Sequence, residues 1–324
     1  MILVCGEALI DLFVETGRPV ETGCANPERG GLPALAVAGG SPFNLALGLS
    51  RLGAGSGFLG GLSSDAFGRM LADRLAAEGV DLAFAKNSAR PTPLAIVSTG
   101  ADGHPAYTFH AASCAHADLA PADLPAVLPD AVRAIALGSF SLVAEPVGTA
   151  YAALAAREAR RRVISLDPNL RLGLVPDLER WHRRFGELMA NADIVKLSDE
   201  DLRAAYGPEA DEGTIAQGWL TAGVALVVVT AGPEGARAYH AAGPVAVPGR
   251  RVAVIDTVGA GDSFHAALLA RLDRDGRLTR DALLSLDADA LRENLSEAVA
   301  AASLTCTRRG ADLPTRDALL SVLP

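Results

Sequence analysis

Val224-Ala-Leu-Val-Val-Val-Thr230 holds five β-branched side chains and no charge. A short run that is apolar at consecutive positions suits a strand covered on both faces, the environment of a parallel sheet. Reading outward, Asp193–Leu197, Val163–Asp167 and Arg133–Gly138 share this character, and helical patterns separate them at Leu178–Ala190 and Pro146–Arg161. Strands alternating with helices imply βαβ units. The expectation is an α/β chain whose doubly wound, mostly parallel sheet is flanked by helices.

Two stretches interrupt the rhythm. Residues 14–37 are rich in Gly, Pro and Thr, and residues 91–112 read as strands Leu94–Thr99 and Ala106–His110 joined at the hairpin dipeptide Asp102-Gly103. Together they can form a small β-sheet lid on a single domain of residues 1–324, although a plain surface hairpin fits 91–112 equally well. Asp281–Thr305, Ala- and Leu-rich at helical spacing, reads as core helices.

Half of the residues are hydrophobic and only 5% aromatic, with Ala, Leu, Val and Gly dominant, which fits helices packed on a sheet. The net charge is −9, and Lys86 and Lys196 are the only lysines. A nucleic-acid binder needs a concentrated basic face. Here the arginines are scattered, and the densest run, Arg157 to Arg162, lies in an Ala-rich helical stretch where a solvated face is expected. Cys5, Cys24, Cys114 and Cys306 are far apart and form no Cys-x-x-Cys pair, which argues against a zinc knuckle or disulfide framework and for a reducing, cytoplasmic setting. Ile2 to Cys5 reads as a first strand without the basic region or cleavage site of a leader. The apolar runs fall well short of the roughly 20 residues of a membrane span. A soluble protein engaging neither membrane nor nucleic acid is expected.

The chemistry concentrates near Asp256-Thr-Val-Gly-Ala-Gly-Asp262. Val252–Asp256 reads as a strand and Gly261–Leu272 as a helix with Phe264, Leu268 and Leu272 on one side. Between them Gly259, Ala260 and Gly261 are small enough for backbone to approach a ligand. Exposed N–H groups and the partial positive charge of a helix N-terminus make such a loop an anion site. Two roles stand open for Asp262: stabilising the helix dipole, worth about 0.3–1 kcal/mol, or acting as a base beside an oxyanion trap, the pairing that phosphoryl transfer to an alcohol requires.

Asp-Thr-Val-Gly-Ala-Gly-Asp-Ser-Phe (256–264) resembles the C-terminal signature of the ribokinase-like, or PfkB-type, carbohydrate kinases. Gly39-Gly40-Ser-Pro-Phe-Asn44, with Leu52-Gly53, Gly60 and Asp65-Ala-Phe-Gly68, resembles the family's other signature, and the likeness runs from Gly6 to Ala311. It implies a sugar kinase that uses ATP and Mg2+, with Asp262 as general base and the N–H groups of Gly259, Ala260 and Gly261 as anion hole. Gly6-Glu-Ala-Leu-Ile-Asp11 resembles the family's first strand, whose aspartate binds sugar hydroxyls. Asp11, flanked by Ile10 and Leu12, is costly to bury without such partners, the alternative being a strand-end carboxylate in water. Gly39, Gly40 and Asn44 resemble the sugar-contacting loop, though Asn44 by itself could be a polar residue of a helix's first turn. Asp167-Pro-Asn169-Leu-Arg171 resembles a fructokinase strand end, where Asn169 would meet the sugar and Arg171 would clamp sugar or transferring phosphate. A surface salt bridge is the plain alternative for Arg171. Phe109 and His110 complete the sugar side as lid residues.

On the nucleotide side, Val229-Thr230-Ala-Gly232-Pro-Glu-Gly235 resembles the family's ATP-binding strand end, giving Thr230, Gly232 and Gly235. Lys196 and Ser198, in Asp193-Ile-Val-Lys-Leu-Ser-Asp-Glu-Asp201, match a fructokinase segment, with Lys196 either reaching a phosphate or solvated. Many relatives carry Asn-x-x-Glu there, linked to magnesium. This chain has Ser198-Asp-Glu-Asp201, leaving Asp201 to organise magnesium-bound water. Asp256 is assigned to a monovalent cation, K+. Val299 stands where relatives often place an adenine-side Asn.

Gly55-Ser-Gly57-Phe-Leu-Gly60 has the dinucleotide spacing but follows a helical segment and runs into a strand, the reverse of the required context. No Gly-Lys P-loop pair exists, and the six histidines offer no zinc pattern. His265 is expected as a helix residue beside the site. The motifs look most like bacterial fructokinases, implying fructose phosphorylated at its primary hydroxyl. Kinases of 2-keto-3-deoxygluconate or ribose are the alternatives, the first disfavoured by His110 where an acid-binding Arg is expected. A silent sugar-binding paralogue is the non-enzyme alternative. A homodimer formed through the lid edge is a further expectation.

Overall fold

β1 (Ile2–Cys5) is buried along its whole length, and its side chains part by strand alternation: Ile2 and Val4 enter one core, Leu3 and Cys5 the other. This computed structural model describes residues 1–14, 34–99, 105–175 and 177–323. The chain continues through β2 (Leu9–Val14), β3 (Ala34–Gly39), α1 (Ser41–Arg51), β4 (Ser56–Leu59), β5 (Gly61–Ser63), α2 (Ala66–Ala77), β6 (Lys86–Ser88), β7 (Leu94–Thr99) and β8 (Pro105–His110). A more regular part follows: β9 (Ala134–Gly138), α3 (Val147–Glu158), β10 (Val163–Asp167), α4 (Leu178–Met189), β11 (Ile194–Ser198), α5 (Asp199–Tyr206), α6 (Glu212–Thr221) and β12 (Leu226–Thr230). Then come β13 (Ala236–Tyr239), β14 (Val245–Val247), α7 (Ala260–Arg274), α8 (Arg280–Leu284), α9 (Ala288–Cys306) and α10 (Arg316–Leu320).

The main sheet has the order β14-β13-β12-β11-β10-β9-β1-β4, parallel from β12 to β4 and antiparallel at β13 and β14. One core lies under α1, α2, α7 and α9, the other under α3, α4 and α6. The doubly wound, mostly parallel sheet expected from the apolar runs is therefore present. β4 flanks β1 on one side and β9 on the other, so the winding reverses between β1 and β9. In open α/β sheets ligands bind beyond the strands' carboxyl ends at such a reversal.

A separate sheet, β3-β2-β7-β8, draws its strands from residues 9–14, 34–39, 94–99 and 105–110. It begins earlier than the expected 14–37 insertion, most of which, like Asp102-Gly103, lies outside the described residues. The register puts Leu35, Phe13, Val97 and Tyr107 in one row and Val37, Asp11, Ala95 and Phe109 in the next, all on one face. Ile10, Ala36, Ala38 and Leu94 point the other way, into the core.

Three expectations are corrected. Ile2–Cys5 is the first strand as read, but Asp11 is not on it: the chain swings away at Gly6 (φ 156°), and Asp11 belongs to β2 of the small sheet. Val252–Asp256 forms no strand: β14 ends the main sheet, and Val254 and Ile255 are each 62% exposed while the Ile255 N–H reaches the Cys306 carbonyl (2.8 Å). Arg157 to Arg162 is not simply a solvated face. α3 ends at Glu158, and Arg162 folds inward to pair with that buried carboxylate (3.0 Å) and with the Leu128 carbonyl (2.8 Å).

Candidate active site

Two helix N-termini converge on Asp262. Gly48 of α1 lets the helices approach, since a Cβ there would stand 2.8 Å from the Ala266 Cβ. One turn earlier on each helix, Asn44 meets Asp262, so α1 and α7 run in the same direction and bring both positive dipole ends to one place. Asp262 is 8% exposed. Ser41 Oγ donates to its Oδ1 (2.6 Å) and Asn44 Nδ2 to its Oδ2 (2.8 Å). Burial nevertheless raises its pKa, Asp167 adds to the rise, and the two hydrogen bonds and Lys196 oppose it. The carboxylate is thus fixed in orientation and raised in proton affinity.

α7 starts from Gly259, whose φ of 79° favours glycine and whose absent Cβ leaves room for Ala311 at 2.7 Å. Of the three turn residues, Ala260 spends its N–H on the Thr257 carbonyl (3.2 Å). The N–H groups of Gly259, Gly261 and Asp262 have no protein partner among the described residues, so the open donors of the turn include Asp262 in place of Ala260. Asp256 braces this turn: its oxygens accept from the N–H groups of Val258 (3.1 Å) and Gly310 (2.8 Å).

Strand alternation aims Ser165, Asp167 and Lys196 at the sheet face covered by α7. Lys196 is 4% exposed and donates to Asp167 Oδ2 at 2.7 Å, which rules out the solvated reading. Its Nζ lies 3.2 Å from where a Gly261 Cβ would be. Ser198 and Asp201 form the capping box of α5. Asp201 Oδ2 accepts from the Ser198 hydroxyl (2.8 Å) and N–H (3.2 Å), and Oδ1 from the Leu170 N–H (2.8 Å). Asp201 therefore holds the 167–171 loop, and its oxygens are engaged.

That loop carries Asn169 (φ 38°, a conformation Asn tolerates) and exposed Arg171. Arg171 has no ion-pair partner among the described residues, but its charge acts on Asp11 and Glu7. The Asp11 pKa is raised to about 6 by burial, with Arg171 opposing and Asp262 reinforcing the shift. Gly39 makes room for this carboxyl, since a Cβ there would lie 2.3 Å from Asp11 Oδ2. Gly40 (φ 107°) passes over the Glu7 carbonyl. Phe109 shares Asp11's face and stacks on Tyr107 (6.1 Å between ring centres). His110 does not: it pairs across from Leu94 and Ile10 on the opposite face, because adjacent strand residues point to opposite sides. The comparison of His110 with an acid-binding arginine loses its footing.

Thr230 ends β12, its hydroxyl reaching the Leu197 carbonyl at 3.4 Å. Gly232 opens the following turn with free space around it, whereas Gly235 is a packing glycine, its missing Cβ replaced by the Val247 carbonyl at 2.1 Å. Val299 is buried in α9. Sequence reasoning assigned no role to Ser41, Glu7 or Asp167. Ser41 lies inside the Gly-Gly-Ser-Pro-Phe-Asn motif, Asp167 opens the Asp-Pro-Asn motif, and Glu7 follows an apolar strand. Glu7 is 1% exposed, accepts from Ser141 Oγ (2.6 Å), and has its pKa raised by burial.

The wider likenesses agree with this geometry. Residues 1–318 match the pfkB family of carbohydrate kinases. A fructokinase of Rhizobium leguminosarum bv. trifolii is 42% identical over 292 residues, spanning 90% of this chain and 86% of its own, and Fructokinase-1 of Zea mays is 35% identical over 331 residues, 100% and 97% of the two chains. The crystal structure of a Xylella fastidiosa fructokinase with bound ATP superposes with a TM-score of 0.87 at 28% identity, covering 99% of this chain and 97% of that one. An aminoimidazole riboside kinase of Salmonella enterica, complexed with its riboside and an ATP analogue, gives 0.80 at 26%, covering 99% and 98%. Both the family match and the relatives span most of the chain: this protein belongs to the pfkB family of carbohydrate kinases.

Proposed function

We propose that this carbohydrate kinase is a cytoplasmic fructokinase that uses ATP. The observation that carries the mechanism is the buried Asp262 carboxylate, oriented through both oxygens and set in the first turn of a helix whose leading N–H groups are open. In this reading Asp262 takes the proton of a primary sugar hydroxyl as that oxygen attacks the γ-phosphorus and the bond from that phosphorus to the bridging oxygen breaks, ADP leaving with the electron pair. The N–H groups of Gly259, Gly261 and Asp262, with Lys196 beside them, hold the charge on the transferring group. Asp11, Asn44, Asn169 and Phe109 would bind the sugar, and Arg171, without an ion pair among the described residues, would clamp the sugar or phosphate. Thr230 and Gly232 would border the nucleotide. Fructose is favoured by the 42% identical fructokinase.

Magnesium would enter on the phosphates and screen their charge. Among the described residues no cluster of three His, Cys, Asp or Glu could hold a metal ion, so the phosphates would supply most of its ligands, and Asp201, whose oxygens already accept from Ser198 and Leu170, would meet it only through water. Asp256 gives one lone pair of each oxygen to the turn, and a monovalent cation would be held through the remaining pairs. The small sheet would act as a lid, since Asp11 and Phe109 lie on one face of it. A second copy would cover the exposed Leu35, Phe13 and Tyr107 of that face. A monomer mass by light scattering at micromolar concentration would remove the dimer.

Asp262→Asn should abolish ADP release from MgATP and fructose while calorimetry still detects fructose binding. Turnover persisting in this variant would remove Asp262 as base. Higher kcat/KM with ribose or 2-keto-3-deoxygluconate than with fructose would remove the sugar assignment alone.

A further inference from the structure

His265 lies one turn after Asp262 on α7 and is 1% exposed, and nothing above gives it a task. A buried histidine is often only core filling, but the groups around this one form a chain. Its Nε2 stands 2.8 Å from Ser165 Oγ, and its Nδ1 3.7 Å from Asp167 Oδ2. That same oxygen accepts from Lys196 Nζ at 2.7 Å, directly across from β10 on β11. The other Asp167 oxygen is buried without a partner among the described residues. The Asp167 charge is therefore balanced only from the side where Lys196 and His265 stand. Buried in this way, the ring is held neutral, its pKa pushed down to about 3 by desolvation first and by the Lys196 charge second.

A neutral imidazole has one N–H. The Ser165 contact fits either tautomer, but a lone pair on Nδ1 would face the Asp167 carboxylate unfavourably, which argues for the proton on Nδ1 with the Ser165 hydroxyl donating to Nε2. We propose that His265 is a positioning residue: anchored by Ser165, it turns its Nδ1–H dipole on the Asp167 carboxylate across 3.7 Å, an electrostatic contact longer than a hydrogen bond, and through it steadies the Lys196 ammonium at the Gly259–Gly261 turn, where the phosphate charge and Asp262 meet. Gly261 fits this role, because any side chain there would meet the ammonium at 3.2 Å. A displaced ammonium would stabilise the Asp262 carboxylate less. The remaining groups acting on Asp262 are Ser41 and Asn44 of α1 and the carboxylates of Asp167 and Asp11. None of them can replace a lost positive charge.

The inference rests on Asp262 being the base, and the test separates the two ideas. Asn at 265 keeps an N–H where Nδ1 stands but cannot reach Ser165. Gln at 265 keeps the Ser165 contact and loses the donor towards Asp167. His265→Asn should retain the wild-type acid limb of kcat against pH within about 0.2 unit and KM for MgATP within about twofold. His265→Gln should move the limb to higher pH by about half a unit or more and raise KM for MgATP several-fold, since a unit of pKa is about 1.4 kcal/mol of interaction. Equal behaviour of the two variants, or the reverse order, would overturn the proposal. Nitrogen NMR of the wild-type histidines gives a readout that needs no variant: the proton is expected on Nδ1 of His265, and finding it on Nε2 would also overturn it. Turnover surviving in Asp262→Asn would sink the base assignment instead. The tautomer and the KM contrast would then still decide the His265 role.

Discussion

Gly39→Ala isolates the position of Asp11 from the stability of the fold. The backbone at Gly39 lies outside the left-handed region, so alanine is conformationally acceptable there. The obstacle is the Asp11 carboxyl, with Oδ2 2.3 Å and Cγ 3.2 Å from the new Cβ. An ordinary contact needs about 3.4 Å, so the oxygen must retreat by about 1 Å. It sits at the end of a side chain with two rotatable bonds, so the protein can yield cheaply and the melting temperature should move by no more than a few degrees. Sugar geometry cannot yield so easily, because a misplacement of about 1 Å costs on the order of 100-fold in rate. Coupled-assay kinetics should show kcat/KM for fructose down by about that factor, with KM for MgATP within about twofold. Gly40→Ala is the control. Its φ of 107° and the Glu7 carbonyl at 2.9 Å involve backbone that cannot swing away, so about 1–3 kcal/mol of stability should be lost. A folded Gly39→Ala protein with wild-type fructose kinetics would refute the assignment of Asp11 to the sugar.

Ser41→Ala removes one of the two donors that oppose the rise of the Asp262 pKa. A hydrogen bond to a charged group is worth about 1.5–3 kcal/mol, so the acid limb of kcat should move up by about one to two pH units in a pH-rate profile. With its pKa raised to about 6, Asp11 is a carboxylate above that pH and protonated below it. KM for fructose should therefore climb several-fold as pH falls from 7.5 to 5, and lose this dependence in Asp11→Asn. The sign for stability is opposite. The folded state holds this proton more tightly than the unfolded chain, so the Asp11 contribution is favourable in acid and is lost as pH rises through about 6. Asp11→Asn should accordingly melt higher than wild type at pH 7.5 by scanning calorimetry. Arg162→Met leaves the 2% exposed Glu158 with Arg157 alone, and should cost about 3 kcal/mol in urea unfolding, the range for breaking a buried pair, with kinetics unchanged.

The sheet was legible because β10, β11 and β12 are buried on both faces, which writes consecutive apolar residues into the chain. Val252–Asp256 has the same composition and makes no strand, since composition does not record whether an unpaired sheet edge lies nearby. The bases of the site were legible where glycine is needed for close approach, at Gly39, Gly40 and Gly259. His110 and Phe109 are adjacent in sequence and opposite in space, and only the register of β7 with β8 shows which one faces Asp11. Ser198 and Asp201 stand where relatives carry a motif linked to metal, yet their spacing of three is also that of a capping box. The fold uses it as a cap.

The division of labour between the two aspartates follows from the donors the fold supplies to each. Both carboxyls are raised chiefly by desolvation, and each feels a second acid, Asp167 for Asp262 and Asp262 for Asp11. Asp262 is given Ser41 and Asn44, both contributed by a helix that packs on its own through the Gly48 gap, so its orientation is fixed before any ligand arrives. Such a group loses no rotational freedom on meeting a hydroxyl, which is what a base needs in a proton transfer governed by geometry. Asp11 has no side-chain donor among the described residues, and its charge is opposed only by the exposed Arg171. No protein side chain among the described residues occupies its oxygens, which leaves them open to the hydroxyls of the proposed sugar. The proposed base therefore stands beside the open N–H groups of the α7 turn, whereas Asp11 lies on the small sheet with no such donors beside it.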